Sequence, residues 1–257
     1  MSNIDYHFEN KRVLVTGATS GMGQAVAVSF AKAGASVMLT GRSEQKGKTL
    51  IDQLTLMGCD VSFIAGDLTD RQFCDQLVEH AVKKMGGLDI VVNSAGVIFH
   101  GTVEETTDEQ WLETMNVNVN GMFFVCRAVM PHLKKSPGSV ILNIASDAGL
   151  TASYHLTAYC ASKGAVLQMS RAMAKDYAPD VRVIPICPGD VDTPMLRGEF
   201  KERGIDARTG LNESAEGVPM KRVCSADEIA DLVLYAASDS ARFITGYPLV
   251  IDGGSRA

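Results

Sequence analysis

The feature that most constrains this chain is an alternation running almost end to end: short apolar runs of β-branched residues separated by longer segments with helical periodicity. The runs at 11–16 (KRVLVT), 36–40, 61–65, 88–92, 139–145, 181–187 and 249–251 show little of the polar/apolar alternation of a half-exposed strand. A near-continuous apolar run is what a strand covered on both faces requires. Between them, residues 22–33, 44–57, 71–85, 107–133, 152–178 and 226–236 carry helical spacing, and Gly34 stands just past the first helix as a C-terminal stop. Strand then helix, repeated, predicts a doubly wound parallel sheet with helices on both faces, a Rossmann-like three-layer α/β/α fold. No Pro/Ser tract, repeat or low-complexity stretch divides the chain, so residues 1–257 are expected to form a single domain. The one long irregular segment, 190–222, has the length of a lid or binding loop and is assigned to substrate binding. Pro185 falls inside the strand 181–187, where its missing N–H demands a bulge or an edge.

Composition narrows the function classes. With 46% hydrophobic and 21% charged residues the chain can bury a large core, which excludes disorder, collagen and coiled coil. A formal charge of −6 opposes a sequence-independent grip on nucleic-acid phosphates. Every apolar run is broken well before the ~20 residues that cross a bilayer, and residues 1–10 carry no signal pattern, so no membrane partner and a cytoplasmic location are expected. The six cysteines are irregularly spaced without a CxxC pair and read as small buried hydrophobes in a reducing compartment. The five histidines form no HExxH, and no metal site is expected.

Chemistry enters after the first strand, where Thr16-Gly17-Ala18-Thr19-Ser20-Gly21-Met22-Gly23 opens directly into a helix. Glycines at that position let the backbone turn tightly and approach a pyrophosphate, and the free N–H groups of the helix start attract its charge. A tight turn is the plainer reading of the glycines alone; the strand before and helix after favour the nucleotide.

The spacing TGxxxGxG resembles that of the short-chain dehydrogenase/reductase family, and the resemblance continues through most of the chain in order. Gly17, Gly21 and Gly23 match its cofactor loop, where Thr19, Ser20 and Met22 also lie. Asp67, followed by Leu68 in GDLTD, matches the acidic residue that meets adenine. Asn93-Ser94-Ala95-Gly96 stands where the family writes NNAG, with Ser94 as a departure. Ser146, Tyr159 and Lys163 match its catalytic set, Pro188-Gly189 its turn after the sixth strand, and Pro188, Gly189, Val191 and Thr193 fall where the family contacts the nicotinamide amide. Asn118, within Asn116-Val117-Asn118-Val119-Asn120, matches the family's helix-interrupting Asn that holds a water linking Lys163 to solvent; Asn116 and Asn120 remain alternatives in register. The resemblance also implies a homotetramer packed through the helices of 107–133 and 152–178 and the last strand.

At the end of the second strand, where a carboxylate would hold both ribose hydroxyls of NAD, the chain has Gly41-Arg42. A guanidinium forks onto a 2′-phosphate, which favours NADP(H) over NAD(H); an Arg42 that stacks on adenine or points to solvent is the competing reading. Tyr159 and Lys163 lie four apart in a helical pattern, hence on one face. A phenol titrates near ~10, and a neighbouring ammonium favours its phenolate, which makes an acid/base useful near neutrality. Ser146 follows a strand at the carboxyl edge of the sheet, placed to orient a substrate oxygen or simply to begin a turn.

Other residues admit two readings each. His155, one turn before Tyr159, either reaches substrate or faces solvent. Asp147 meets a polar substrate or caps a turn; Met195 and Leu196 line a pocket or pack. The charges of 197–208 read as a solvated face. Three functions compete: an NADP(H)-dependent carbonyl reductase, 3-oxoacyl reductases included; an NAD(H)-dependent secondary-alcohol or polyol dehydrogenase; and a non-catalytic dinucleotide sensor, which should lack the Ser, Tyr or Lys. In each enzyme reading the partner is a small-molecule carbonyl or alcohol.

Overall fold

The apolar runs become the sheet of the computed structural model, which describes residues 5–257. Among these residues seven parallel strands, β1 (Arg12–Thr16), β2 (Ser36–Gly41), β3 (Val61–Ala65), β4 (Ile90–Asn93), β5 (Ser139–Ile144), β6 (Val181–Pro188) and β9 (Leu249–Ile251), lie in the order β3-β2-β1-β4-β5-β6-β9. A separate two-residue ladder joins β7 (Val191–Asp192) to β8 (Cys224–Ser225). The helices are α1 (Gly21–Lys32), α2 (Glu44–Leu56), α3 (Arg71–Met85), α4 (Asp108–Met115), α5 (Met122–Leu133), α6 (Thr157–Tyr177), α7 (Pro194–Glu202), α8 (Ala207–Glu216) and α9 (Ala226–Ala237). None of the described helices is long and apolar enough to cross a membrane.

Successive strand residues point to opposite faces, and both faces are filled. Val13, Val15, Leu39 and Val92 pack with Val26 and Phe30 of α1 and Ile229 and Val233 of α9. Leu14, Met38, Val91 and Ile141 pack with Leu77 of α3, Val125 and Val129 of α5 and Val166 of α6. Each such side chain contributes about 1.5–3 kcal/mol when fully buried. Two filled faces explain why the runs are apolar throughout, and they leave the carboxyl ends of the strands as the place for a site.

Four local expectations change. The helix expected over 107–133 is α4 and α5 joined by a π-helical turn at Asn116–Gly121, a break of the kind found where helices carry function. The helix expected from 152 starts at Thr157, preceded by a single 3₁₀ turn at Asp147–Gly149. The segment 190–222 is not irregular: it holds α7 and α8, and β7–β8 fastens it to the body. Thr193 caps α7 ahead of Pro194 at its first turn, and Asp206 caps α8 through Arg208 N and Thr209 N. Pro185 needs neither bulge nor edge. Val183 bonds Thr245 and Gly246 on the β9 side, and the two-residue period turns Pro185 the same way. Pairing with β9 begins only at Ile186↔Leu249, so the missing N–H falls short of that ladder while Pro185 stays in register with Asn143.

Candidate active site

Strand order reverses between β1 and β4, and the crevice opens there. A cleft of about 300 Å³ is lined by Gly17, Thr19, Ser20, Gly21, Met22 and Gly23 of the glycine loop, by Gly41, Arg42, Ser43 and Lys46, by Asp67 and Leu68, by Ser94, Ala95 and Gly96, and by Thr193, Pro194 and Met195. Gly17 has φ +65°, and a Cβ there would stand 2.7 Å from the Ala95 nitrogen. A Cβ at Gly23 would stand 2.3 Å from the Gly17 carbonyl oxygen. The loop thus lies backbone to backbone against the end of β4. Thr16 Oγ1 accepts from Ser94 N at 3.1 Å and Ala95 N at 3.4 Å, so the backbone at 94 makes this contact and the Ser94 departure leaves it intact. The first turn of α1 contains no acid, and Ser20 makes no side-chain cap among the described residues, which leaves donors for an anion. This cradle fits a dinucleotide.

Not every expected cofactor residue borders the cleft. Asn93 turns into the sheet, where Nδ2 donates to Asn143 Oδ1 at 2.8 Å. Pro188 ends β6, Val191 begins β7, and Gly189 N bonds Ile251 O at 3.0 Å; these three lie beyond the cleft lining. Thr193 reaches the lining and caps α7. Lys46 is an addition, four residues after Arg42 in the first turn of α2; the helical pattern from 44 onward already carried it.

The catalytic candidates meet beside the cleft. Lys163, nine-tenths buried on α6, donates from Nζ to Ile144 O at 2.9 Å and stands 5.5 Å from the centre of the Tyr159 ring. Desolvation pulls its ammonium down to about 8. Desolvation also pushes the Tyr159 phenol above its ordinary range; its interaction with the Ser146 side chain works against that, and the charges of Glu199 and Asp147 add to it. Ser146 Oγ lies 3.1 Å from Asp147 Oδ1 and accepts from Ala148 N at 3.1 Å. Asn118 sits buried in the π turn: Oδ1 accepts from Val97 N at 2.8 Å, and Nδ2 donates to Val97 O at 2.9 Å and Ser162 Oγ at 3.0 Å. A Cβ at Gly96 would meet both Asn118 Oδ1 (3.3 Å) and Lys163 Nζ (3.7 Å), which places Asn118 at the lysine. Asn116 and Asn120 bond each other on the surface.

At the mouth of the site one residue departs from its expected place. Glu199 of α7, expected on a solvated face, is instead largely buried and bonds His100 Nε2 at 2.6 Å. Desolvation raises its carboxyl, and the His100 contact opposes the rise. His155 has φ +55° and faces solvent beside Glu105 at 3.8 Å. Met195 lines the cleft, while Leu196 packs inside. All six cysteines are free, and no three His, Cys, Asp or Glu among the described residues cluster as metal ligands.

A doubly wound sheet with a dinucleotide cradle at its switch point, and a Tyr/Lys/Ser cluster beside it, defines a nicotinamide-dependent oxidoreductase. The short chain dehydrogenase family profile matches residues 11–204. A Thermotoga maritima protein described only as an oxidoreductase is 39% identical over 98% of this chain and 99% of its own length. The 3beta-hydroxysteroid dehydrogenase of Mediterraneibacter gnavus is 35% identical over 96% and 95%. The crystal structure of a glucose/ribitol dehydrogenase from Brucella melitensis superposes with a TM-score of 0.91, at 30% identity, over 99% of this chain and 100% of that one. The chain belongs to the short-chain dehydrogenase/reductase family and is an NAD(P)-dependent enzyme acting on CH–OH/C=O groups.

Proposed function

We propose that this enzyme transfers hydride reversibly between NADP(H) and a small polar ketone or secondary alcohol. The observation that carries the cofactor choice is that Arg42 and Lys46 line the same end of the cleft while Gly41 leaves no acid there. Two cations suit a 2′-phosphate, and a carboxylate would repel it. The bound nicotinamide supplies or accepts the hydride at its ring carbon. Tyr159 gives the carbonyl oxygen its proton in reduction and removes it in oxidation, Ser146 orients that oxygen, and Lys163 favours the phenolate and holds the nicotinamide ribose. Asn118 supports the proton path from Lys163. Pro188, Gly189, Val191 and Thr193 serve the nicotinamide amide, and Asn93 holds the floor of the site through Asn143. Residues 190–222 form the substrate wall, with Glu199 reaching His100 across the mouth. That polar mouth favours a hydroxylated substrate over a steroid or long acyl chain.

The same reading includes a homotetramer: a groove of about 600 Å³ between α5 and α6 is lined by Phe123, Met130, Met169 and Met173, and Phe243, Tyr247 and Val250 stand exposed near β9.

A panel of ketones, alcohols and polyols assayed with both cofactors, followed by reduced-nicotinamide absorbance, tests the activity. NADPH is expected to be preferred, and Arg42→Ala combined with Lys46→Ala to erode that preference by about 10- to 100-fold. Preference for NADH in the unmodified enzyme overturns the cofactor choice.

A further inference from the structure

Arg256, beyond β9, reaches back to the loop that follows the candidate catalytic serine. Its Nε lies 3.0 Å from Asp147 Oδ2, Nη2 donates to Ser153 Oγ at 3.0 Å, and Nη1 approaches Ala152 O at 3.4 Å. The guanidinium is aimed there by a turn with its own supports. Asp252 Oδ1 accepts from Gly254 N at 2.9 Å and Oδ2 from Arg256 N at 2.9 Å, with Gly253 and Gly254 at φ +63° and +86°. The other oxygen of Asp147 takes the Ser146 hydroxyl at 3.1 Å, and Ser146 is the neighbour that lowers the Tyr159 phenol against its desolvation. Hydrogen bonds therefore run from Arg256 through Asp147 to Ser146, beside Tyr159.

We propose that Arg256 is a positioning residue: by holding and neutralising Asp147 it weakens the carboxylate's hold on the Ser146 hydroxyl and keeps the field at Tyr159 favourable to the phenolate. This rests on the assignment of Tyr159 and Ser146 above. An unpaired Asp147 would compete for the serine proton that a substrate oxygen needs. Its charge would also oppose a second negative charge on Tyr159, in the direction Asp147 already acts. The other groups facing this cluster include Lys163, Cys160, Arg171 and Cys187, the last a thiol pushed up to about 11 mainly by desolvation and neutral at working pH, together with Glu199 paired to His100 and Asp252 held by the turn. Arg256 is the counter-charge that faces Asp147, on the opposite side of the cluster from Lys163.

The test is the pH profile of alcohol oxidation, using whichever panel alcohol turns over fastest with NADP, for the unmodified enzyme, Arg256→Ala, Arg256→Lys and the double variant Asp147→Asn/Arg256→Ala. Oxidation requires the phenolate, so its acid limb follows the Tyr159 pKa. Arg256→Ala is expected to move that limb upward by about one pH unit, with a roughly tenfold loss of kcat below it. Arg256→Lys should recover part of the shift, because the charge remains while the fork is lost. The double variant should bring the limb back, since the offending charge is gone. Ultraviolet difference titration of the cofactor-free proteins, each against its Tyr159→Phe counterpart, should show the same order of phenolate pKa values. An unmoved limb and titration in Arg256→Ala overturn the proposal, as does a double variant as shifted as Arg256→Ala. Turnover surviving in Tyr159→Phe would instead strike the underlying catalytic assignment, so the two failures are distinguishable.

Discussion

The nucleotide cleft and the substrate mouth adjoin each other but are built on different principles. The cleft is backbone: Gly17 against Ala95, Gly23 against the Gly17 carbonyl, and the open first turn of α1. The mouth is side chain: Glu199 to His100, ninety-nine positions apart in sequence, and Arg256 to Asp147, one hundred and nine apart. Backbone cradles tolerate one geometry and recognise what all nicotinamide dinucleotides share. Side-chain contacts between distant segments can be exchanged singly without disturbing the sheet, which would suit a part that distinguishes substrates.

The largest effect expected is at the junction. Tyr159→Phe should lower turnover by about 10²- to 10⁴-fold and leave cofactor affinity, measured by fluorescence titration, within about twofold. A matching loss of cofactor binding would show that cleft and mouth are not separable. The cleft itself is tested by Gly17→Ala, which forces a side chain into left-handed backbone against Ala95. A cost of about 1–3 kcal/mol should appear as roughly 10- to 100-fold weaker cofactor binding, with the pH profile of residual turnover unchanged. Normal affinity would mean that the loop has room the structure denies. The smallest effect belongs to the mouth. The Glu199 carboxylate raises the Tyr159 pKa, so Glu199→Gln should lower it and move the acid limb of oxidation down by about half a unit. A limb moving upward would reverse the sign assigned to that contact.

These contrasts also explain what was legible. The glycine loop, the Tyr/Lys pair one helical turn apart and the buried strands are local patterns, each readable within about ten residues. Lys46 was equally local, one turn beyond Arg42 on a recognisable helix. The two helices of 190–222 had signals too, Thr193-Pro194 and Asp206 at their starts, masked by scattered Gly and charge. The choice of Asn118 among three asparagines was not local. It follows from the π turn, which buries that side chain against Val97 and Ser162 and leaves Asn116 and Asn120 bonded to each other outside.

Sequence alone determined the doubly wound sheet and the glycine loop and nominated candidate reacting groups, because hydrophobic period, glycine placement and i,i+4 spacing act over one element and its neighbours. Only the tertiary structure decided the environment of those groups: which carboxylates face Tyr159, how deeply Lys163 is buried, and which distant arginine holds Asp147. Electrostatic and desolvation effects depend on distance through space, and chain folding brings together charges that no spacing along the sequence relates.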